Sequence, residues 1–151
     1  MFDNLKKYKI VLVSASPRRK ELLQNLGLTF KVRTLFGIDE QYPDTLRGED
    51  IPRFISRKKA EAYRSSMADD ELLIAADTVV CLDGRTLGKP HDAQEAKAML
   101  HKLSGRFHQV ITGVTVMTKD QMENFAVTSQ VKFADLTDEE IDYYVDNYLP
   151  F

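Results

Sequence analysis

Lys9-Ile10-Val11-Leu12-Val13-Ser14-Ala15-Ser16-Pro17-Arg18-Arg19 passes from a strand into a helix within a few residues. The short apolar run Lys9 to Val13 predicts a buried strand. Ser16 is placed to cap a helix with Pro17 at its first position, and Gly27 suits its stop. Leu22, Leu23 and Leu26 give that helix an apolar stripe. A helix N-terminus offers unpaired N–H groups and partial positive charge, which suit phosphate oxygens. Ser14 and Ser16 add hydroxyl donors, and Arg18 and Arg19 add guanidinium forks matched to phosphate geometry. The plainer alternative is a capped helix carrying two solvated arginines. The macrodipole weighs against it, since cations in a first turn are unfavourable without an anion to meet.

Outward from this unit, strands and helices alternate. A second strand and an irregular stretch occupy Phe30 to Arg47, and Ile51 to Met67 reads as a helix with Ile51, Phe54, Ile55 and Ala62 on one face. Leu72 to Leu82 predicts a strand, turned by Asp83-Gly84 into Arg85–Leu87. Asp92 with Glu95 is a capping-box pattern before a helix striped by Ala96, Met99, Leu100 and Leu103, which Gly105 ends. Val110 to Met117 and Phe125 to Phe133 read as paired strands turning at Lys119-Asp120. Thr137 with Glu140 caps a last helix carrying Ile141, Tyr144, Val145 and Tyr148. Interleaving of this kind predicts the α/β class. The 151 residues suit one domain, 1–151.

Composition narrows the function. With 43% hydrophobic and 29% charged residues the chain can bury a core of its own. A formal net charge of -2 gives no global drive onto nucleic acid or anionic membrane, and Ser-Pro-Arg-Arg-Lys is too short a basic run to change that. The single cysteine, Cys81, excludes an intramolecular disulfide and a cysteine-rich zinc site; it reads as a small buried hydrophobe. No signal peptide or membrane-spanning run is legible, so the expected compartment is the cytoplasm.

Other residues invite chemistry. Asp77, beside Thr78, interrupts a nearly continuous apolar strand, and a buried carboxylate must be paired, hydrogen-bonded or on a metal. Holding a neighbouring loop would also explain it. Lys89, in the rigid Gly88-Lys89-Pro90 turn, would reach a phosphate or lie solvated. Lys58 and Lys59 both fall near the apolar face of their helix, and periodicity does not choose between them. Asp39, Glu40 and Asp44 read by themselves as solvated loop acids. His91, His101 and His108 show no metal-ligand spacing.

Taken in order, Ser14-Ala15-Ser16-Pro17-Arg18-Arg19-Lys20-Glu21-Leu22-Leu23, Ile38-Asp39-Glu40, Lys59-Ala60-Glu61-Ala62, Ala76-Asp77-Thr78-Val79-Val80, Leu87-Gly88-Lys89-Pro90, Leu103-Ser104-Gly105 and Thr112-Gly113-Val114 resemble the Maf family of nucleoside triphosphate pyrophosphatases. The resemblance implies an elongated mixed sheet of the Maf/ITPase-like kind, flanked by helices, with two lobes and a central cleft. It also implies a homodimer that hydrolyses a nucleoside triphosphate to the monophosphate and pyrophosphate with a divalent cation, magnesium or manganese. By motif, Asp77 would accept the proton of the attacking water, and Glu40 would be a second acid at the metal, so Glu40 and Asp77 are the expected metal ligands. Lys59 and Lys89 would neutralise the triphosphate. Arg18 and Thr78 resemble the residues that mark the subfamily acting on dTTP and UTP, whereas tryptophan and glutamine mark the one acting on 7-methyl-GTP. The resemblance further implies a Lys-Ala-Gly-Ala-Tyr-Gly-Ile-Gln segment and a final strand region beyond Pro150, so the chain is expected to be truncated relative to the family. A nucleotide-binding regulator of cell division without catalysis, and a pyrophosphatase for modified purine triphosphates, are the alternatives.

Overall fold

The computed structural model describes residues 8–14, 17–33, 41–87 and 90–148. The elements run β1 (Lys9–Val13), α1 (Pro17–Asn25), β2 (Phe30–Arg33), α2 (Asp50–Tyr63), β3 (Glu71–Leu82), β4 (Arg85–Leu87), α3 (Ala93–Leu103), β5 (Phe107–Met117), β6 (Met122–Lys132) and α4 (Asp138–Tyr148). Six strands form one sheet in the order β2-β1-β3-β5-β6, with β4 paired to β3. β1 lies parallel to both β2 and β3, while β3 and β4 are antiparallel, so the sheet is mixed as expected. The chain divides into two compact units, Met1–Thr78 with Thr112–Val127 and Val79–Ile111 with Thr128–Phe151.

In the first unit the sequence periods translate directly into packing. Side chains alternate across a strand, so Val11 and Val13 of β1 share a face, as do Leu73 and Ala75 of β3. These meet Ala60 and Tyr63 of α2, Met67 after it and Met117 of β5 in one buried cluster. The β1–β3 register sets Val11 beside Leu73 and Val13 beside Ala75. Pro17 opens α1 as expected, and Gly27 ends it at φ 80, donating to the Gln24 carbonyl at 3.0 Å. Ala62, read onto the apolar face of α2, is exposed, and Ala60 and Tyr63 are buried there instead. Other expectations change too. The helix read as Ile51 to Met67 stops at Tyr63 and finishes in a 3-10 turn, Arg64–Ser66, before Met67 becomes extended; tightening of this kind is common at helix C-termini. The leucine stripe of α1 is mostly uncovered, with Leu22 49% and Leu26 55% exposed and only Leu23 half-buried.

The second unit is held by helix pairing. Ala96 of α3 packs with Ile141 and Val145 of α4, flanked by Ala93, Leu100 and Leu136. Both capping motifs form. Asp92 accepts from the Glu95 amide at 2.8 Å, while the Glu95 carboxylate reaches back to the His91 amide at 2.7 Å. Thr137 and Glu140 exchange reciprocal bonds at 3.1 and 3.2 Å. Asp83 and Gly84 take positive φ values of 53° and 79°, the turn that suits a two-residue hairpin between β3 and β4. Cys81 is buried.

Candidate functional site

The site grows from the last residues of β3 that belong to the first unit. Leu73, Ala75 and Asp77 occupy alternate positions, so the face that buries two apolar side chains against α2 next presents a carboxylate to it. Asp77 is only 8% exposed. The residue of α2 that answers it is Lys59, whose Nζ lies 3.3 Å from Asp77 Oδ1 and also donates to the Ala76 carbonyl at 3.2 Å. Lys58 turns elsewhere, donating to the Gln41 carbonyl at 3.4 Å and lying over the Phe54 ring. Structure thus makes the choice that helical periodicity left open.

A second cation converges on the same stretch. Arg19, in the first turns of α1, donates from Nη1 to the Ala76 carbonyl at 3.1 Å and from Nη2 to Thr78 Oγ1 at 2.8 Å. Ala76 therefore accepts from both Arg19 and Lys59. Because Thr78 accepts from Arg19, its hydroxyl proton is available to Thr112 Oγ1 of β5, 3.0 Å away. Ser14 directly follows the Val13–Ala75 pair of the β1–β3 register, which sets it level with Ala76. Its own amide donates to the Arg33 carbonyl at 3.2 Å.

Of the residues singled out from sequence, the structure brings Arg19, Lys59, Asp77 and Thr78 into direct contact, with Ser14 beside them in register. Ser16, Glu40 and Lys89 lie outside the described residues, as does the side chain of Arg18. Among the described residues no three His, Cys, Asp or Glu side chains gather as a metal-binding group. Asp77 is a hard oxygen donor, and magnesium characteristically takes one or two carboxylates and completes its shell with substrate phosphate and water. The donor chemistry therefore fits a divalent cation that arrives with a polyphosphate.

Nothing local to Thr112 marks its bond to Thr78, and Ser56, Thr115 and Asn124 carry no motif of their own. The available signals were weak ones: a serine on the buried face of α2, and a glycine, Gly113, inside a strand.

Residues 9–151 match the family described as Maf-like protein. The chain belongs to that family. A Phocaeicola vulgatus protein named dTTP/UTP pyrophosphatase is 56% identical over 150 residues, 99% of this chain and 78% of the relative. One of the same name from Parabacteroides distasonis is 57% identical over 151 residues, 100% of this chain and 78% of its own length. Among solved structures, the Staphylococcus aureus Ham1 protein superposes with a TM-score of 0.53 at 20% identity, covering 84% of this chain and 72% of its own. At that identity the likeness is one of fold. Within this Maf-like chain the Ala-Asp-Thr motif is the buried carboxylate and its neighbours. The Lys-Ala motif contributes its cation, and the Arg-Arg motif contributes the fork that braces them.

Proposed function

We propose that this Maf-like chain hydrolyses nucleoside triphosphates, dTTP and UTP foremost, to the monophosphate and pyrophosphate. The observation that carries the reading is the buried Asp77 carboxylate held by Lys59, with Arg19 converging on the same carbonyl. Relatives at 56% and 57% identity bear the name dTTP/UTP pyrophosphatase, which supports the choice of bases.

In this reading water attacks the α-phosphorus, and the bond from that atom to the α–β bridging oxygen breaks. The electron pair leaves with pyrophosphate. Asp77 takes the proton of the attacking water, from a position where burial keeps competing solvent away. Arg19 and Lys59, with Arg18 and Lys89, bind the triphosphate and offset the negative charge that grows on the leaving group. Ser14, Ser16 and the amino end of α1 add donors for phosphate oxygens. Thr78 orients the Arg19 fork. Asp77 and Glu40 would hold a divalent cation, magnesium or manganese, which supplies charge neutralisation and acidifies bound water. We place the protein in the cytoplasm as a homodimer; no helix among the described residues is long and apolar enough to cross a membrane.

The test is pyrophosphate release from dTTP, UTP, 7-methyl-GTP and ITP with magnesium or manganese. Preferred turnover of dTTP and UTP is expected. Faster turnover of 7-methyl-GTP or ITP overturns the base assignment, and no release from any of the four overturns the activity.

A further inference from the structure

One polar cluster in the first unit is left unused by that chemistry. Ser56 of α2 and Thr115 of β5 are both fully buried, with their hydroxyl oxygens 2.9 Å apart. Ser56 also donates to the Arg53 carbonyl at 3.0 Å, so the shared proton belongs to Thr115. Asn124 of β6 closes the circuit, donating to Thr115 Oγ1 at 2.8 Å and to the Arg53 carbonyl at 3.0 Å. Its carbonyl oxygen accepts from Arg53 Nε at 2.9 Å, which settles which end of the amide is oxygen. Every member is satisfied, which a buried polar group requires if it is not to weaken the core.

Two residues before Thr115, on the same face of β5, stands Gly113. A Cβ there would overlap the backbone of Pro52 and Arg53 in the first turns of α2. Helix and strand backbones therefore touch with no side chain between them, which fixes their separation. Apolar packing could fill the space equally well, but it would leave the helix free to roll or slide by a fraction of a turn. Directional bonds to two strands do not allow that. Lys59 follows Ser56 by three positions, close to the same side of the helix.

We infer that Ser56, Thr115 and Asn124 are positioning residues that lock α2 in rotation and register, and so aim Lys59 at Asp77. The catalytic half of this inference rests on the pyrophosphatase reading; the geometric half does not. Thr115→Val keeps the shape of the side chain and removes its hydroxyl, and Thr115→Ser restores the hydroxyl.

The geometric half is read by labelling lysines with acetic anhydride and measuring peptide masses, with exposed Lys9 as internal reference. Thr115→Val and Ser56→Ala should raise Lys59 labelling at least about threefold while melting cooperatively, and Thr115→Ser should label like the wild type. The catalytic half is a double-mutant cycle. Thr115→Val should lower kcat/KM for dTTP about tenfold in the wild-type background, within the range known for small misplacements. In a Lys59→Met background it should change nothing further, whereas a merely structural role would cost the same factor in both. Wild-type labelling of Lys59 in Thr115→Val and Ser56→Ala overturns the inference, and so does an equal loss in the two backgrounds. If the wild type releases no pyrophosphate, the activity reading fails, and the labelling still decides the clamp.

Discussion

Lys59 and Asp77 meet at 3.3 Å with only 16% and 11% of their side chains exposed. A pair so little hydrated is a poor way to add stability, because both charges give up water to form it. Its usefulness lies elsewhere. It sets a carboxylate within an apolar sheet face beside a cation that can also serve a phosphate.

Asp77→Asn tests the carboxylate. The amide keeps the shape and a hydrogen-bonding oxygen but cannot accept a proton. Pyrophosphate release should fall by at least about a thousandfold, in the manner of losing a general base from a positioned site. Thermal melting should stay cooperative. Wild-type turnover by a folded Asp77→Asn would remove this residue from the mechanism.

Arg19→Lys tests the fork. One guanidinium spans the Ala76 carbonyl and Thr78 Oγ1, and an ammonium cannot occupy both positions as a planar unit. We expect KM for dTTP to rise roughly tenfold, with a smaller change in kcat, as befits an interaction made in both ground and transition states. An unchanged KM in steady-state kinetics would mean that Arg19 braces β3 without touching substrate.

Much of this arrangement was legible from local rules, because those rules act over a few residues. The capping boxes at Asp92 and Thr137 form as read, and Asp83-Gly84 makes its turn. The anomaly of a carboxylate inside an apolar strand pointed to Asp77 for the same reason that burial makes it costly. The partner of that carboxylate was less legible. Lys58 and Lys59 differ only in which way α2 is rotated, and that is decided by Gly113, Thr115 and Asn124, more than fifty residues away along the chain. The α1 stripe erred in the opposite direction: spacing marks which leucines share a face, not whether anything covers them.

Lys97 offers a pH-dependent check in the second unit. Its Nζ lies 3.4 Å from both Asp142 and Asp146 of α4. Burial works to lower its pKa, and the hydrogen-bonded Asp146 and Asp142 carboxylates outweigh this, so the pKa rises above 10.5. A lysine raised in the folded state contributes stability in full below its unfolded pKa and loses it as pH climbs through the folded one. Lys97→Gln should therefore melt below the wild type between about pH 7 and 9, with the gap closing above roughly pH 10.4. A gap independent of pH would assign the loss to the packing of the lysine stem.

Gly113→Ala isolates the close approach of α2 to β5. In an open strand position alanine would be favoured by about 0.5–1 kcal/mol, because glycine loses more freedom on folding. Here the added methyl would overlap the Pro52 carbonyl and the Arg53 amide, and backbone cannot rotate aside as a side chain can. The helix must move outward, stretching the Ser56–Thr115 and Asn124–Arg53 bonds together. Overpacking of this kind costs about 1–3 kcal/mol, so the sign of the change reverses. Urea unfolding should give a lower midpoint at unchanged slope, and Lys59 should label faster than in the wild type. A midpoint at or above that of the wild type would show that the two backbones do not touch, and that the rotation of α2 is set by some other contact.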